Sequence, residues 1–289
     1  MPTYPASVTP FDAQGRVDMP GIARLIAWFR SHGCDGIVLA GTQGEGPSLS
    51  AVEKRDMVRD AVKLADGWPV ILGVATPSIE EAVWSCKQAH QAGAAAALVL
   101  PPGYYREAGE AGLIAWFEEL LAKSPIGVLI YNFPQRTGIT LSASFMGHFR
   151  DHERMIGVKD SSGNVSNLTS YAEALKGGSK YMFVGNETLL LDALTLGWSG
   201  TISGSANVIP NWLSQIVHEW PTDRESAETK FALIQPALLA LRSAGQPAMN
   251  KAVLHRLGVL ENASPRLPLV ASSAEELETV WAVVSGLIK

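Results

Sequence analysis

Charge is scarce in this chain. Asp, Glu, Lys and Arg make up 18% of its 289 residues, the formal net charge is -5, and no Lys/Arg cluster stands out. That balance argues against nucleic acid or an anionic membrane as a partner. Cysteine is scarcer still: Cys34 and Cys86 are the only two, with no Cys-x-x-Cys pair. A reduced, cytoplasmic protein fits this better than a disulfide framework. The opening Met-Pro-Thr-Tyr-Pro-Ala-Ser-Val-Thr-Pro-Phe-Asp has no basic region followed by an apolar run, so no secretory signal is expected. The longest apolar stretch lies near Ala94 to Leu100, far short of the ~20 residues of a membrane helix. Of six histidines, only His148 and His152 stand four apart. They flank a helix end away from any expected site, so zinc is disfavoured. There is no Gly-x-Gly-x-x-Gly turn after the first strand, no P-loop and no Gly-x-Ser-x-Gly elbow. Neither a metal nor an organic cofactor is expected.

What is present is a rhythm. Hydrophobic residues make up 47% of the chain, enough for one large core. Short apolar runs alternate with helical patterns. Strands are predicted at Ala6–Thr9, Gly36–Ala40, Pro69–Val74, Ala96–Leu100, Gly127–Tyr131, Arg154–Lys159, Tyr181–Val184 and Gly200–Ser203. Continuous runs such as Ile37-Val38-Leu39 mark parallel strands buried on both faces. Helices are predicted between them, with Asp18, Ser50 and Ser78 as N-caps and Ser50 to Glu53 as a capping box. Eight such units in about 220 residues fit a (β/α)8 barrel of the α/β class. Beyond Trp220 the pattern is purely helical, with capping boxes predicted at Thr222 to Glu225 and at Ser273 to Glu276. The expected division is a catalytic barrel over 1–220 and a C-terminal helical region over 221–289.

Barrel active sites form where strands end and βα loops begin. The polar residues at those points are Gly41-Thr42-Gln43-Gly44-Glu45, Tyr104-Tyr105, Tyr131 through Gly138, Lys159 through Gly163, and Ser203-Gly204-Ser205. Lys159 closes the run Met155-Ile156-Gly157-Val158, which places its amine at the barrel mouth against apolar walls. Burial disfavours the charged form of an amine. A neutral amine attacks a ketone to form an iminium, an electron sink for making or breaking a carbon–carbon bond. A lysine at a strand end more often extends into solvent, so position alone does not single it out. Tyr131 ends the neighbouring strand, where a phenol can relay protons, although a half-buried core tyrosine is at least as common. The two glycines around Thr42 and Gln43 suit a turn whose backbone N–H groups cradle a carboxylate, or simply a tight βα turn. Arg136 suits a substrate carboxylate or a surface ion pair.

Taken together, these segments resemble the dihydrodipicolinate synthase / N-acetylneuraminate lyase family, from Ala6-Ser7-Val8-Thr9-Pro10-Phe11 to about Pro210. The resemblance is carried by Gly41-Thr42-x-Gly44-Glu45, Tyr131-Asn132-x-Pro134-x-Arg136-Thr137-Gly138 and Gly157-Val158-Lys159-Asp160. It implies a pyruvate imine on Lys159 and a proton relay through Tyr131, Thr42 and Tyr105. It also implies a pyruvate carboxylate on the Thr42 and Gln43 amides beside Gly41, and an acceptor carboxylate on Arg136. Tyr105 often comes from a neighbouring subunit in this family, which implies a homotetramer built from dimers. Three departures bear on the acceptor. Gln43 stands where a second hydroxyl residue is common, and Gly103 interrupts the usual Pro-Tyr-Tyr spacing. The segment from Ile202 to Asn207, with Ser203 and Gly204 as substrate-binding candidates, looks more like aldolases that cleave 2-keto-3-deoxy sugar acids or 4-hydroxy-2-oxoglutarate. Ala51 and Lys54 stand where lysine-regulated synthases often carry histidines, so feedback by lysine is not expected. The leading expectation is a metal-free, pyruvate-dependent aldolase or lyase most like dihydrodipicolinate synthase. The alternatives are a 2-keto-3-deoxygluconate or 4-hydroxy-2-oxoglutarate aldolase, and a non-catalytic 2-oxo acid sensor on the same barrel.

Overall fold

Runs that are apolar on both faces must be covered on both faces, and here they close on themselves. A computed structural model describes residues 1–288. Eight parallel strands run β1 (Thr3–Pro5), β2 (Ile37–Leu39), β3 (Val70–Val74), β4 (Ala96–Val99), β5 (Val128–Asn132), β6 (Met155–Asp160), β7 (Tyr181–Val184) and β8 (Gly200–Ser203). Their spatial order is β1-β8-β7-β6-β5-β4-β3-β2. A parallel bridge from Ala6 to Val38 joins the two ends of that order into a barrel. Helices α1 (Met19–Ser31), α2 (Ala51–Ala65), α3 (Ile79–Ala92), α4 (Gly109–Lys123), α5 (Pro134–Thr137), α6 (Ala143–His148), α7 (Val165–Ala174), α8 (Leu190–Thr195) and α9 (Pro210–Glu219) fall between and after the strands. Three more follow: α10 (Arg224–Ser243), α11 (Ala248–Arg256) and α12 (Ala274–Val284). None of the described helices is long and apolar enough to cross a membrane.

Successive side chains of a strand point to opposite faces, and the core divides accordingly. Val38, Ile71, Leu98, Leu129, Tyr131, Phe183 and Ile202 pack inside the barrel. Val128, Ile130, Val158 and Val184 face outward into the larger layer beneath the helices. The same alternation sends Lys159 inward and Asp160 outward, and it pairs Tyr131 with Lys159 and Asn132 with Asp160 across β5 and β6.

The eight strands stand where expected with small shifts, apart from the first. β1 itself ends at Pro5. Ala6 and Ser7 still bond to β8 and β2 through the Ser203 and Val38 carbonyls, but Val8 and Thr9, the second half of the expected strand, bond to loops instead. The N–H of Val8 donates to Asn207 Oδ1 at 3.0 Å, and Thr9 Oγ1 donates to the Gly44 carbonyl at 2.6 Å. The capping boxes at Ser50 and Ser273 are both present. The one expected at Thr222 is not: Asp223 caps α10, accepting from the Ser226 N–H at 3.1 Å. A carboxylate at the N-cap is also the better match to the helix dipole.

The C-terminal helices are tied to the β2–α2 turn by a buried ion pair. Lys251 of α11 is fully buried, and its Nζ lies 2.5 Å from a Glu45 carboxylate oxygen that is equally buried. Lys251 also donates to the Ser264 carbonyl at 3.2 Å and sits 4.1 Å from the Phe11 ring centroid. Burial pushes the Lys251 amine below its ordinary value, and the Glu45 carboxylate opposes that shift. The other Glu45 oxygen accepts the Arg266 N–H at 2.7 Å, while the Arg266 guanidinium pairs with Glu53. Removing one member of such a pair leaves an uncompensated buried charge. Lys251→Ala is therefore expected to lower unfolding stability by about 3–5 kcal/mol, read from the midpoint of urea unfolding at constant slope.

Candidate active site

The C-terminal ends of the strands surround two adjoining cavities of about 410 and 370 Å³. Gly41, Thr42, Leu98, Tyr131, Arg136 and Gln246 line both. The larger is polar and holds Lys159, Ser161, Glu187 and Arg242. The smaller is apolar, walled by Val74, Pro77, Leu100, Pro101, Pro268 and Leu269.

Lys159 is 4% exposed, and its Nζ makes no hydrogen bond or ion pair among the described residues. Its one close neighbour of note is the Tyr131 ring, 4.2 Å from Nζ to centroid. That contact follows from the β5–β6 register, which sets the two side chains abreast on the inner face. The phenol of Tyr131 is buried and accepts a hydrogen bond from Ser161 Oγ at 3.2 Å. Behind the sheet, Asp160 is held by Asn132 Nδ2 at 2.6 Å and Ser162 Oγ at 2.7 Å. Burial raises the Asp160 carboxyl above the usual range, and the bonds from Ser162 and Asn132 work against that. These bonds pin the end of β6 on its outer face while Lys159 stays free on the inner one.

The turn after β2 carries a different feature. Ala40 and Glu45 adopt positive φ of 53° each, a conformation that bulky side chains avoid. Packing holds them there: a Cβ on Gly73 would lie 2.6 Å from the Ala40 carbonyl oxygen. In between, the backbone N–H groups of Thr42 and Gln43 donate to no protein atom among the described residues. Two adjacent free amides on a cavity wall form an anion-binding nest. The hydroxyl of Thr42 likewise bonds to no other described residue.

The remaining candidates separate. Arg136, on α5, lines both cavities, and its guanidinium has no partner among the described residues. Gly204 lines the polar cavity. Ser203 lines neither; its hydroxyl donates to Glu187 Oε1 at 2.7 Å. Tyr105 is 58% exposed and stands outside both cavities of its own chain, edge-on to Tyr104 with ring centroids 5.3 Å apart. Gln43 turns its side chain to the C-terminal helices. It donates to Gln246 Oε1 at 2.6 Å and accepts from Asn250 Nδ2 at 3.1 Å. Gly204 makes room for this: a Cβ there would lie 2.8 Å from Gln43 Nε2 and 3.0 Å from Gln246 Oε1.

Several lining residues had no signal in the sequence. Glu187 is 2% exposed and receives Ser203 Oγ, the Ser205 N–H at 3.0 Å and Arg242 Nη1 at 3.2 Å. Arg242, Gln246 and Asn250 come from the helical region; Gln246 and Asn250 lie about 200 residues from the Gln43 turn they meet, and Arg242 lies 55 from Glu187. Ser161 lies within the run that carries Lys159, but its bond to Tyr131 depends on how two strands align. No group of three metal-ligating side chains occurs among the described residues.

A buried, unpaired amine beside a phenol, at the C-terminal mouth of a closed parallel barrel, defines a lysine-centred (β/α)8 site. The family model described as "Dihydrodipicolinate synthetase family" matches residues 3–287, and the chain belongs to that family. It is thus a lyase of the pyruvate-dependent aldolase class. Among relatives, a 4-hydroxy-tetrahydrodipicolinate synthase of Methanosarcina acetivorans is 32% identical, over 96% of this chain and 94% of the relative. One of a Thermoanaerobacter species is 32% identical over 100% and 99%. Among solved structures, a dihydrodipicolinate synthase from Thermotoga maritima superposes with a TM-score of 0.94 at 27% identity, over 99% of both chains. One from Acinetobacter baumannii, solved with pyruvate, gives 0.93 at 28% identity over 99% of both.

The site has little spare room at Gly185, where a Cβ would lie 2.7 Å from Lys159 Cε and press into the Ser161 hydroxyl. Gly185→Ala is expected to displace the Lys159 side chain and to lower stability by about 1–3 kcal/mol. A crystal structure of the variant and its urea unfolding curve measure the two effects.

Proposed function

We propose that Lys159 is the nucleophile of a pyruvate-dependent condensation, the chemistry named for its relatives as 4-hydroxy-tetrahydrodipicolinate synthase. The observation that carries this reading is the Lys159 amine itself: buried, unpaired, and set against the face of Tyr131 in a polar cavity. A 2-oxo acid places its carboxylate on the free N–H groups of Thr42 and Gln43, beside Gly41, and its keto carbon at Lys159. Attack by the amine forms the carbon–nitrogen bond, and loss of water gives the iminium. Loss of a methyl proton then gives the enamine that attacks an aldehyde. Arg136 is the cation for the acceptor's carboxylate, since it faces the cavity without an ion-pair partner. Gly204 shapes the far wall, with Ser203 behind it acting through Glu187. We assign residues 1–220 to the catalytic barrel and 221–289 to the helical region, of which Arg242, Gln246 and Asn250 complete the barrel's mouth.

A second reading has support from one feature. The Gln43, Gln246 and Gly204 cluster walls the polar cavity, and this supports an aldolase cleaving 2-keto-3-deoxygluconate or 4-hydroxy-2-oxoglutarate through the same imine. Tyr105 reaches neither of these two cavities of its own chain, so its place in a relay requires a neighbour, as in a homotetramer of paired dimers. A solved relative of TM-score 0.93 is described as a monomeric dihydrodipicolinate synthase variant. We place the protein in the cytoplasm, where both buried cysteines stay reduced.

Borohydride reduction in the presence of pyruvate, followed by peptide mass mapping, is expected to label Lys159 alone, and Lys159→Ala to abolish both label and turnover. An unlabelled protein would sink the imine mechanism and favour a sensor. Arg136→Ala is expected to weaken acceptor kcat/KM by about 1.5–3 kcal/mol, as for hydrogen bonds to a charged group, with pyruvate labelling retained. Assay of a panel of aldehydes and 2-oxo-3-deoxy acids reads out both the loss and the substrate.

A further inference from the structure

The resemblance to the family implies that Tyr131 passes protons through Thr42, but the two hydroxyls are not hydrogen-bonded here. The one side-chain partner of the Tyr131 phenol among the described residues is Ser161, at 3.2 Å. Ser161 is 7% exposed and sits two residues beyond Lys159, on the same side of the chain. Its own N–H donates to the Asn132 carbonyl at 2.9 Å, which ties it to the strand of Tyr131. The bare Cα of Gly185 leaves the space in which its hydroxyl stands. It lines the polar cavity together with Lys159.

We propose that Ser161 is a catalytic residue of the imine reaction, the hydroxyl that stabilises Tyr131 as the phenol gives up and regains its proton. This rests on the reading of Lys159 given above. When the Lys159 nitrogen bonds to the keto carbon, the carbonyl π bond breaks, and a proton moves from nitrogen to the new hydroxyl through the phenol. The phenol next protonates that hydroxyl, the carbon–oxygen bond breaks, and water leaves. The products are the iminium and a Tyr131 phenolate. The phenolate then takes a proton from the methyl carbon, which gives the enamine and restores the phenol. No other reactant is needed. A phenolate on a buried side chain requires a donor aimed at its oxygen, and the Ser161 O–H is already there. Because Ser161 donates, the phenol's own hydrogen is left free for the substrate oxygen.

Exchange of the pyruvate methyl protons with deuterated water, followed by proton NMR, reports these steps and needs no acceptor. Ser161→Ala is expected to slow exchange on the order of 10²-fold, near the effect of removing one oxyanion donor. It should also move the alkaline limb of the exchange profile to higher pH, with half-saturation by pyruvate changed less than threefold. Ser161→Thr, which keeps the hydroxyl, should recover most of the rate and the wild-type limb. Ser161→Cys, nearly isosteric and a weak donor, carries the same expectation as alanine if the alanine protein does not fold. Thr42→Val should leave the limb in place. Wild-type rate and limb in Ser161→Ala, or a limb that moves only in Thr42→Val, overturns the assignment. Borohydride labelling of the wild-type protein separates the two levels. Labelling with no Ser161 effect sinks only this inference, whereas no labelling sinks the imine reading beneath it.

Discussion

An amine with no counter-charge, enclosed by a barrel, is the constraint around which this site is built. A buried lysine ordinarily finds a carboxylate, and the chain shows that alternative elsewhere. Lys251 is fully buried and paired with Glu45 at 2.5 Å. Lys159 is nearly as buried but faces only an aromatic ring and a cavity. The contrast separates a lysine that holds structure together from one left chemically available. Glu187 is the acidic residue in the same cavity, and its oxygens are already taken by Ser203, Ser205 and Arg242. A carboxylate so occupied is a weaker partner for a second cation.

The rest of the architecture serves that arrangement from two directions. From the barrel side, the register of β5 against β6 sets Tyr131 beside Lys159, and the outward bonds of Asp160 to Asn132 and Ser162 hold the strand end. From the other side, the helices after α9 reach back over the mouth in three places. Lys251 meets Glu45, Gln246 and Asn250 meet Gln43, and Arg242 meets Glu187. Each contact ends on a residue at or next to the cavities. The helical region is therefore wall as much as appendage, with Arg242 of α10 and Gln246 lining the polar cavity directly.

Much of the fold was legible because its signals are local. Apolar runs of strand length, Ser50 and Ser78 caps, and the Ser273 capping box each involve residues within a few positions of one another. The misplaced first strand shows the limit. Val8 and Thr9 read as strand but bond to Asn207 and Gly44, partners invisible to local periodicity. Lys159, Tyr131, Thr42 and Arg136 stood out because barrel sites collect at strand ends, and all four line the same polar cavity. Ser203 stood out by the same rule, but it follows the inward Ile202 and so faces the other way, where its hydroxyl is taken up by Glu187. Glu187, Arg242, Gln246 and Asn250 gave no warning, since their value comes from contacts across as many as 207 residues.

The amino-acid order by itself determined the eight-fold rhythm, the strand ends and the presence of a lysine and a tyrosine on successive inner faces, because period-two and helical patterns are written within short windows. Tertiary structure alone decided that Lys159 has no ionic partner, that Ser161 and not Thr42 bonds the Tyr131 phenol, and that Gln43 points to the helices. Such facts depend on the register of strands and the docking of distant helices. A hydrogen bond is gained or lost over less than an ångström, and no local pattern in a chain specifies distance at that scale.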